Sequence, residues 1–327
     1  TEYLTKYEYE DLIMGVTGDY VGIGVYMYQN NDGNIVVLMP IEDSPAEEAG
    51  LKSGDIIVSI NGESCLEMDI NVASSKIKGK EKTTVDLEIL RGTETIDMTI
   101  ERRTVEIKDS NSKVLEGNIG YIELSTFDEK CSNNIKKYLE DFEGEGIKSV
   151  IIDLRNNTGG VVTEAIDFAE LFIEKGNVIM RSYNKAGKET VITSDSKRTF
   201  DMKVVILVNE YSASSTEIVT AALKDNNVAT IVGTTTYGKG VMQEIIPMFE
   251  GKGALKVTIE EFKTPNGDKI NEVGITPDIE VENNPETKED EQLQKCTKEY
   301  KAVVQALLLV DKIANKIFEE EYQKRKR

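Results

Sequence analysis

The sequence predicts a mixed α/β protein made of two unlike parts, and three patterns predict it. Over roughly the first hundred residues, alternating runs such as Val85–Leu90 and Thr95–Ile100 are separated by glycine-bearing turns, as paired antiparallel strands require. From about Thr104 onward, apolar runs such as Val150–Leu154 and Val204–Val208 alternate with amphipathic stretches, as a sheet layered with helices requires. The 327 residues, 39% hydrophobic and 30% charged, suffice for two domains or for one domain with a large insertion.

In chain order, residues 4–14 have mixed helical character and stop near Gly15. The run from Tyr20 to Met27 is strand-like, and the turn Asn31-Asp32-Gly33-Asn34 leads into Ile35–Met39, a hairpin pattern. Ser44-Pro45 with Gly50 gives a cap, a proline at the first helical position and a glycine stop, hence a short helix. Strand 55–60 ends at the tight turn Asn61-Gly62; a polar helix over 70–77 and the two alternating strands follow. Beyond Thr104 come strand 120–124, helix 133–142, strand 150–154 and a long amphipathic helix over 161–174. Strand 204–208, helix 216–222 and a short strand at Ile231-Val232 continue the alternation. Residues 283–291 are polar and acidic, a linker. A final helix over 292–322 carries Val303, Ala306, Val310, Ile313, Ala314 and Ile317 at helical spacing, a stripe that would pack on the body or form a homodimer contact.

Charge and composition exclude whole classes of function. The balance of 39 basic against 59 acidic residues leaves a net charge of −20, which repels phosphate backbones and argues against nucleic acid as a partner. There is no histidine. That removes the Ser-His-Asp triad, the Cys-His dyad and every histidine-based zinc site, so any hydrolytic chemistry must find another base. Cys65, Cys131 and Cys296 are odd in number and far apart, which indicates neither a disulfide framework nor a metal site but buried, idle thiols. No run approaches the roughly 18 apolar residues of a membrane span. The chain opens at Thr1 within a helical pattern, and an upstream signal or anchor is expected before it.

Two constellations carry chemistry. In the first, Gly22-Ile23-Gly24 allows a close backbone approach, so that N–H groups around Ile23 and Gly24 could grip a carboxylate. An adjacent strand could then accept a peptide as an added strand; as a lone motif, Gly-Ile-Gly is equally a bulge. In the second, Val204–Ile218 reads as strand, small-residue turn and helix, which would present a hydroxyl at the positive end of a helix dipole, suited to an oxyanion. Ser212, Ser214 and Ser215 are all candidates, and a serine there is by itself more often a helix cap. Downstream, Lys239 stands between Gly238 and Gly240. A lysine buried without an acidic partner loses its proton readily and can serve as a base; on an open loop it would be an ordinary solvated cation.

Residues 16–103 resemble a PDZ domain of the protease-associated, circularly permuted type, through Gly22-Ile23-Gly24, Ser44-Pro45-Ala46, Ala49-Gly50-Leu51, Gly54-Asp55-Ile56-Ile57 and Ile60-Asn61-Gly62. Residues 2–285 as a whole resemble the carboxy-terminal processing, or tail-specific, proteases. The resemblance rests on Ser212-Ala213-Ser214 before Glu217-Ile218, on Gly238-Lys239-Gly240 twenty-five positions beyond Ser214, and on Gln243 one helical turn later. Asp153-Leu154-Arg155 with Gly159-Gly160, and Thr264-Pro265 through Pro277-Asp278, match two further family segments. The resemblance implies a crotonase-like protease core with an inserted PDZ domain and helical terminal segments, divided as 1–15, 16–103, 104–285 and 286–327. It implies Ser214 as nucleophile, Lys239 as base and Gln243 as its orienting partner, with N–H groups of Gly159 and Ser215 forming the oxyanion hole. It implies protein or peptide substrates with free C-termini, bound by the PDZ residues Gly22, Ile23 and Gly24. It further implies an extracytoplasmic location and no metal or cofactor. A catalytically silent peptide-binding scaffold and a crotonase-like acyl-CoA enzyme are the rivals; the intact Ser214, Lys239 and Gln243 set argues against the first, the PDZ insertion against the second.

Overall fold

A computed structural model describes residues 1–249, 252–282 and 290–298. It divides into two compact units, one formed by Thr1–Asp109 with Glu244–Val257, the other by Ser110–Gln243 and the described residues from Thr258 onward. The linker expected at 283–291 and the terminal helix stripe, with the homodimer contact it could offer, fall largely outside the described residues.

The first unit opens with strand β1 (Glu2–Leu4) and helix α1 (Lys6–Thr17). A reciprocal box fixes the start of α1: Thr5 Oγ1 accepts the Glu8 N–H at 3.3 Å and Glu8 accepts the Thr5 N–H at 2.7 Å. The helix runs past Gly15 and stops at Gly18, whose φ of 71° lets its N–H turn back onto Met14 O. The run expected as one strand from Tyr20 to Met27 is two, β2 (Asp19–Gly22) and β3 (Val25–Gln29), broken where Gly24 takes φ 78°. Then follow β4 (Ile35–Pro40), α2 (Pro45–Glu48), β5 (Ile56–Ile60), β6 (Glu63–Ser64), α3 (Ile70–Ile77), β7 (Thr84–Arg91), β8 (Glu94–Glu101) and β9 (Arg103–Glu106). β2 pairs with β9, while β3-β4-β5-β7-β8 form an antiparallel sheet with β3 at its end. The core of this unit is aliphatic and includes Ile23, Ile35, Ile57, Leu87 and Ile89.

The second unit contains β10 (Ser110–Leu115), β11 (Ile119–Leu124), α4 (Cys131–Gly144), β12 (Ser149–Asp153), α5 (Val162–Glu170), β13 (Val178–Asn184), β14 (Glu189–Thr193), β15 (Lys203–Val208), α6 (Ser215–Asp225) and β16 (Ala229–Gly233). β17 (Val241–Pro247) and β18 (Ala254–Lys263) cross the unit boundary, and β19 (Ile279–Glu280) closes the order. One sheet runs β10-β11-β12-β15-β16-β19, parallel from β11 onward. β12 is buried along its whole length, as a strand covered on both faces must be. One face carries α4, α5 and α6 over a core that includes Phe127, Phe168 and Ile206; on the other, Tyr121, Val205 and Leu207 meet Leu293 and Cys296 of a helix over 291–298. The amphipathic stretch 161–174 yields a helix only to Glu170, after which turns bury Phe172 and Ile173. All three cysteines are buried thiols outside any disulfide, and burial pushes the Cys296 thiol up to about 12.

Candidate active site

The site is built in the second unit, where β15 hands over to α6. The strand is interior from Val204 to Val208, and the chain turns at Asn209–Ala213 before the helix starts at Ser215. Side chains seal the turn: Asn209 N–H donates to Ser212 Oγ, and Tyr211 N–H to Asn209 Oδ1. At the junction Ser214 holds φ 57° and ψ −116°. A non-glycine residue there costs on the order of 1–3 kcal/mol and persists only when its surroundings over-determine it.

Those surroundings treat the three candidate serines differently. Ser212, fully buried, donates its hydroxyl to Leu154 O at 2.8 Å. Ser215, also fully buried, donates to Gly160 O at 2.9 Å, and Thr216 to Asn157 O at 2.9 Å. Three hydroxyls thus clamp the turn onto the loop after β12. Ser214 takes no part in that clamp and is half-buried. A strained serine on a sharp strand-to-helix turn is the arrangement that lifts a hydroxyl clear of its own backbone.

The loop opposite carries Asp153-Leu154-Arg155 and the glycine pair. Arg155 binds the buried Asp153 carboxylate, which also accepts the Tyr121 hydroxyl at 2.7 Å, and reaches across to Asp290 at 2.8 Å. The guanidinium thereby ties this loop to the segment leading into the 291–298 helix. Gly159 has φ 100°, and a Cβ on it would lie 2.8 Å from Ser214 Cβ and 2.9 Å from Ser215 N, so only glycine fits against the serine turn. Its N–H, expected to serve the oxyanion, is donated here to Asn157 Oδ1 at 2.9 Å. Ser215, the first residue of α6, has an N–H that the helix itself leaves without an internal acceptor.

Lys239 lies on the loop between β16 and β17. Gly238 has φ 87°, and a Cβ on Gly240 would fall 2.4 Å from Asn271 N, so both flanking glycines are required by packing. One residue joins the lysine loop to the serine turn. Glu217, fully buried in the first turn of α6, accepts Ser214 N–H at 3.0 Å and Lys239 N–H at 2.8 Å on the same oxygen. Its other oxygen accepts Gly238 N–H at 2.7 Å and the Thr236 hydroxyl at 2.6 Å. Two bonds to one oxygen hold the Ser214 and Lys239 nitrogens within about 6 Å of each other, although twenty-five residues separate them in sequence. The helix N-terminus adds its favourable dipole to the four donors, so the buried carboxylate is well satisfied. In the sequence Glu217 belongs to the motif before Ile218, and its three-residue spacing from Ser214 accounts for one donor only; the other three come from the Thr236–Lys239 loop, which no local spacing places beside it.

Gln243 does not stand one helical turn beyond Lys239: it lies on β17, which begins at Val241, two residues after the lysine. In the first unit Gly22, Ile23 and Gly24 do come together at the junction of β2 and β3, where Ala46 N–H donates to Ile23 O at 2.7 Å. No helix among the described residues is long and apolar enough to cross a membrane.

Comparison with known proteins identifies the family of the segment that carries these loops. Residues 118–281 match the model of peptidase family S41, and residues 36–91 match a PDZ domain. The chain is 38% identical over 284 residues to a probable CtpA-like serine protease of Staphylococcus aureus, covering 86% of this chain and 57% of that protein. A probable CtpA-like serine protease of Staphylococcus epidermidis is likewise 38% identical over 283 residues, with the same coverage. The chain thus spans 57% of the length of these curated relatives. The structure of a photosystem II D1 C-terminal processing protease superposes with a TM-score of 0.52 at 26% identity, over 86% of this chain and 78% of that one. With the serine turn, the glycine loop and the lysine loop all inside the matched segment, the chain belongs to peptidase family S41.

Proposed function

We propose that the chain is a serine endopeptidase that cleaves proteins near their C-termini, with Ser214 as nucleophile, Lys239 as general base and Gln243 as the group that orients the amine. The observation that carries this reading is the Glu217 oxygen shared by the Ser214 and Lys239 main chains, which ties a strained serine to a lysine in a protein without histidine. In the cycle, the neutral Lys239 amine takes the Ser214 proton as Oγ attacks the scissile carbonyl. The resulting oxyanion is received by the N–H groups of Ser215 and Gly159, the latter leaving Asn157 Oδ1 to do so. The Lys239 ammonium then returns its proton to the departing amine, and a water molecule deprotonated by the same lysine releases the acyl group.

On the same reading the divisions at 16–103 and 104–285 are the PDZ and protease domains, and each contains its matched family segment. The PDZ domain senses the substrate's terminal carboxylate through Gly22, Ile23 and Gly24 and gates the protease, an equilibrium that ligand shifts. The location is extracytoplasmic, as the family resemblance implies. The test is a fluorophosphonate probe with mass-spectrometric mapping of the modified residue, alongside terminal sequencing of fragments from a protein pool. Label on Ser214, its loss in Lys239→Ala, and cuts clustered near C-termini are expected. Undiminished proteolysis by Ser214→Ala would overturn the assignment.

A further inference from the structure

β3 is an end strand of its sheet, and its first residues face an open edge. Ile41 N–H donates to Gly24 O at 2.9 Å, which makes Val25 and Pro40 a non-hydrogen-bonded pair across β3 and β4. The Val25 N–H therefore points away from β4. Gly24 is held rigidly in this pose: its carbonyl also accepts the Ser44 hydroxyl at 3.0 Å, and a Cβ on it would strike Ser44 Cβ at 2.3 Å. These N–H groups are the ones available to a peptide's terminal carboxylate at the edge of β3.

They are already covered. The Tyr20 ring folds back over Gly22, where a Cβ would sit 2.6 Å from Tyr20 Cε2, and its hydroxyl faces the N–H groups of Gly24 and Val25. Burial raises the phenol above its ordinary range, so it stays a neutral hydroxyl. The Lys78 ammonium, at the end of α3, lies 5.7 Å from the Tyr20 ring centroid and 2.9 Å from Asp11 of α1. We infer that Tyr20 is an internal stand-in for the ligand carboxylate, occupying its donors until a C-terminal peptide displaces it, with Lys78 as the cation that then pairs with the incoming charge. This rests on the carboxylate-binding reading of the PDZ domain given above. A carboxylate is a stronger acceptor than a phenol oxygen, so the exchange favours ligand while raising the concentration needed to drive it.

The experiment is fluorescence anisotropy on the full chain in a Ser214→Ala background, which spares the peptide. The probe is a labelled pool of decapeptides with apolar residues at the last three positions, made as free acids and as amides. Tyr20→Phe, which keeps the ring and removes the hydroxyl, should tighten free-acid binding about three- to tenfold and leave the amides unchanged. Lys78→Gln should weaken free-acid binding whether residue 20 is Tyr or Phe. Free-acid selectivity with equal or weaker binding by Tyr20→Phe would overturn the stand-in and leave the carboxylate site standing. Absence of any preference for free acids, in every variant, would remove the carboxylate reading and this inference together. Thermal melting of each variant separates loss of binding from loss of fold.

Discussion

Replacing Glu217 by glutamine changes one atom at the junction on which the proposed chemistry depends. The carboxylate receives four donors, three N–H groups and one hydroxyl, with no exposure to solvent. A glutamine offers one oxygen and one NH2. With the oxygen toward Ser214 and Lys239, the NH2 confronts the Gly238 N–H, while Thr236, which already accepts Ile275 N–H at 2.7 Å, must turn its proton away. That orientation leaves one buried N–H unsatisfied and converts two charge-assisted bonds to neutral ones. At roughly 1–3 kcal/mol for the orphaned group and about 1 kcal/mol for the weakened bonds, the loss is about 2–4 kcal/mol. For a unit of this size that corresponds to a fall in Tm of roughly 5–15 °C. Because both flanks of the proposed catalytic pair loosen, the rate of fluorophosphonate labelling at Ser214 should fall by about ten- to a hundredfold, on the principle that misplacing reacting groups by about 1 Å costs up to 100-fold. Glu217→Gln melting within about 1 °C of the parent and labelling at the parent rate would refute the reasoning, since neither the bonds nor the coupling would then matter.

Other outcomes follow from the same geometry. Ser214→Ala should abolish labelling with little change in Tm, whereas Ser212→Ala, which orphans the Asn209 N–H and leaves Leu154 O with only the Asn157 N–H, should lower Tm and leave Ser214 as the labelled residue. Gly159→Ala places a methyl group against Ser214 and Ser215 at positive φ, and peptidase turnover should fall at least about 100-fold in steady-state assays. In the first unit, burial raises the Asp55 carboxyl, but hydrogen bonds from Arg91 and from the Lys52 N–H outweigh it and hold the group below its ordinary value. Stability from this pair is therefore present above about pH 4 and lost as pH falls through the lowered folded value. The Tm gap between the parent and Arg91→Gln, followed by circular dichroism, should be widest near neutrality and close in acid; a gap that widens on acidification would contradict the assignment.

Much of this was legible in the sequence because it follows from local rules. Ser44-Pro45 starts α2, continuous apolar runs give β12 and β15, and the motif around Ser214 falls at a strand-to-helix turn. Where the reading failed, the deciding interaction was distant or hinged on a single dihedral. Gly24 at positive φ splits one apparent strand, so β2 leaves for β9 while β3 pairs with β4. The strands β13 and β14 were missed because Val178–Asn184 is only partly buried and its partner is largely polar on the surface. The spacing from Lys239 to Gln243 suited a helix, but Lys239 stands on the loop and Gln243 on the strand β17 that follows it. The second role of Arg155, as a tie to Asp290, spans 135 residues and leaves no trace in either local segment.

The same distinction explains how the proposed site would work without histidine. A triad carries its orientation in a chain of side-chain hydrogen bonds, each visible as a residue type. Here orientation is supplied by main-chain constraint: three hydroxyls clamp the serine turn to the glycine loop, and a carboxylate binds the turn and the lysine loop through their N–H groups. The strain at Ser214 is sustained because all of these bonds would have to break together to release it. Residues that hold backbone need only be small, hydroxylated or acidic and buried. This is why Ser212, Ser215, Thr216 and Glu217 read as an ordinary helix start until the two loops they grip are brought into place.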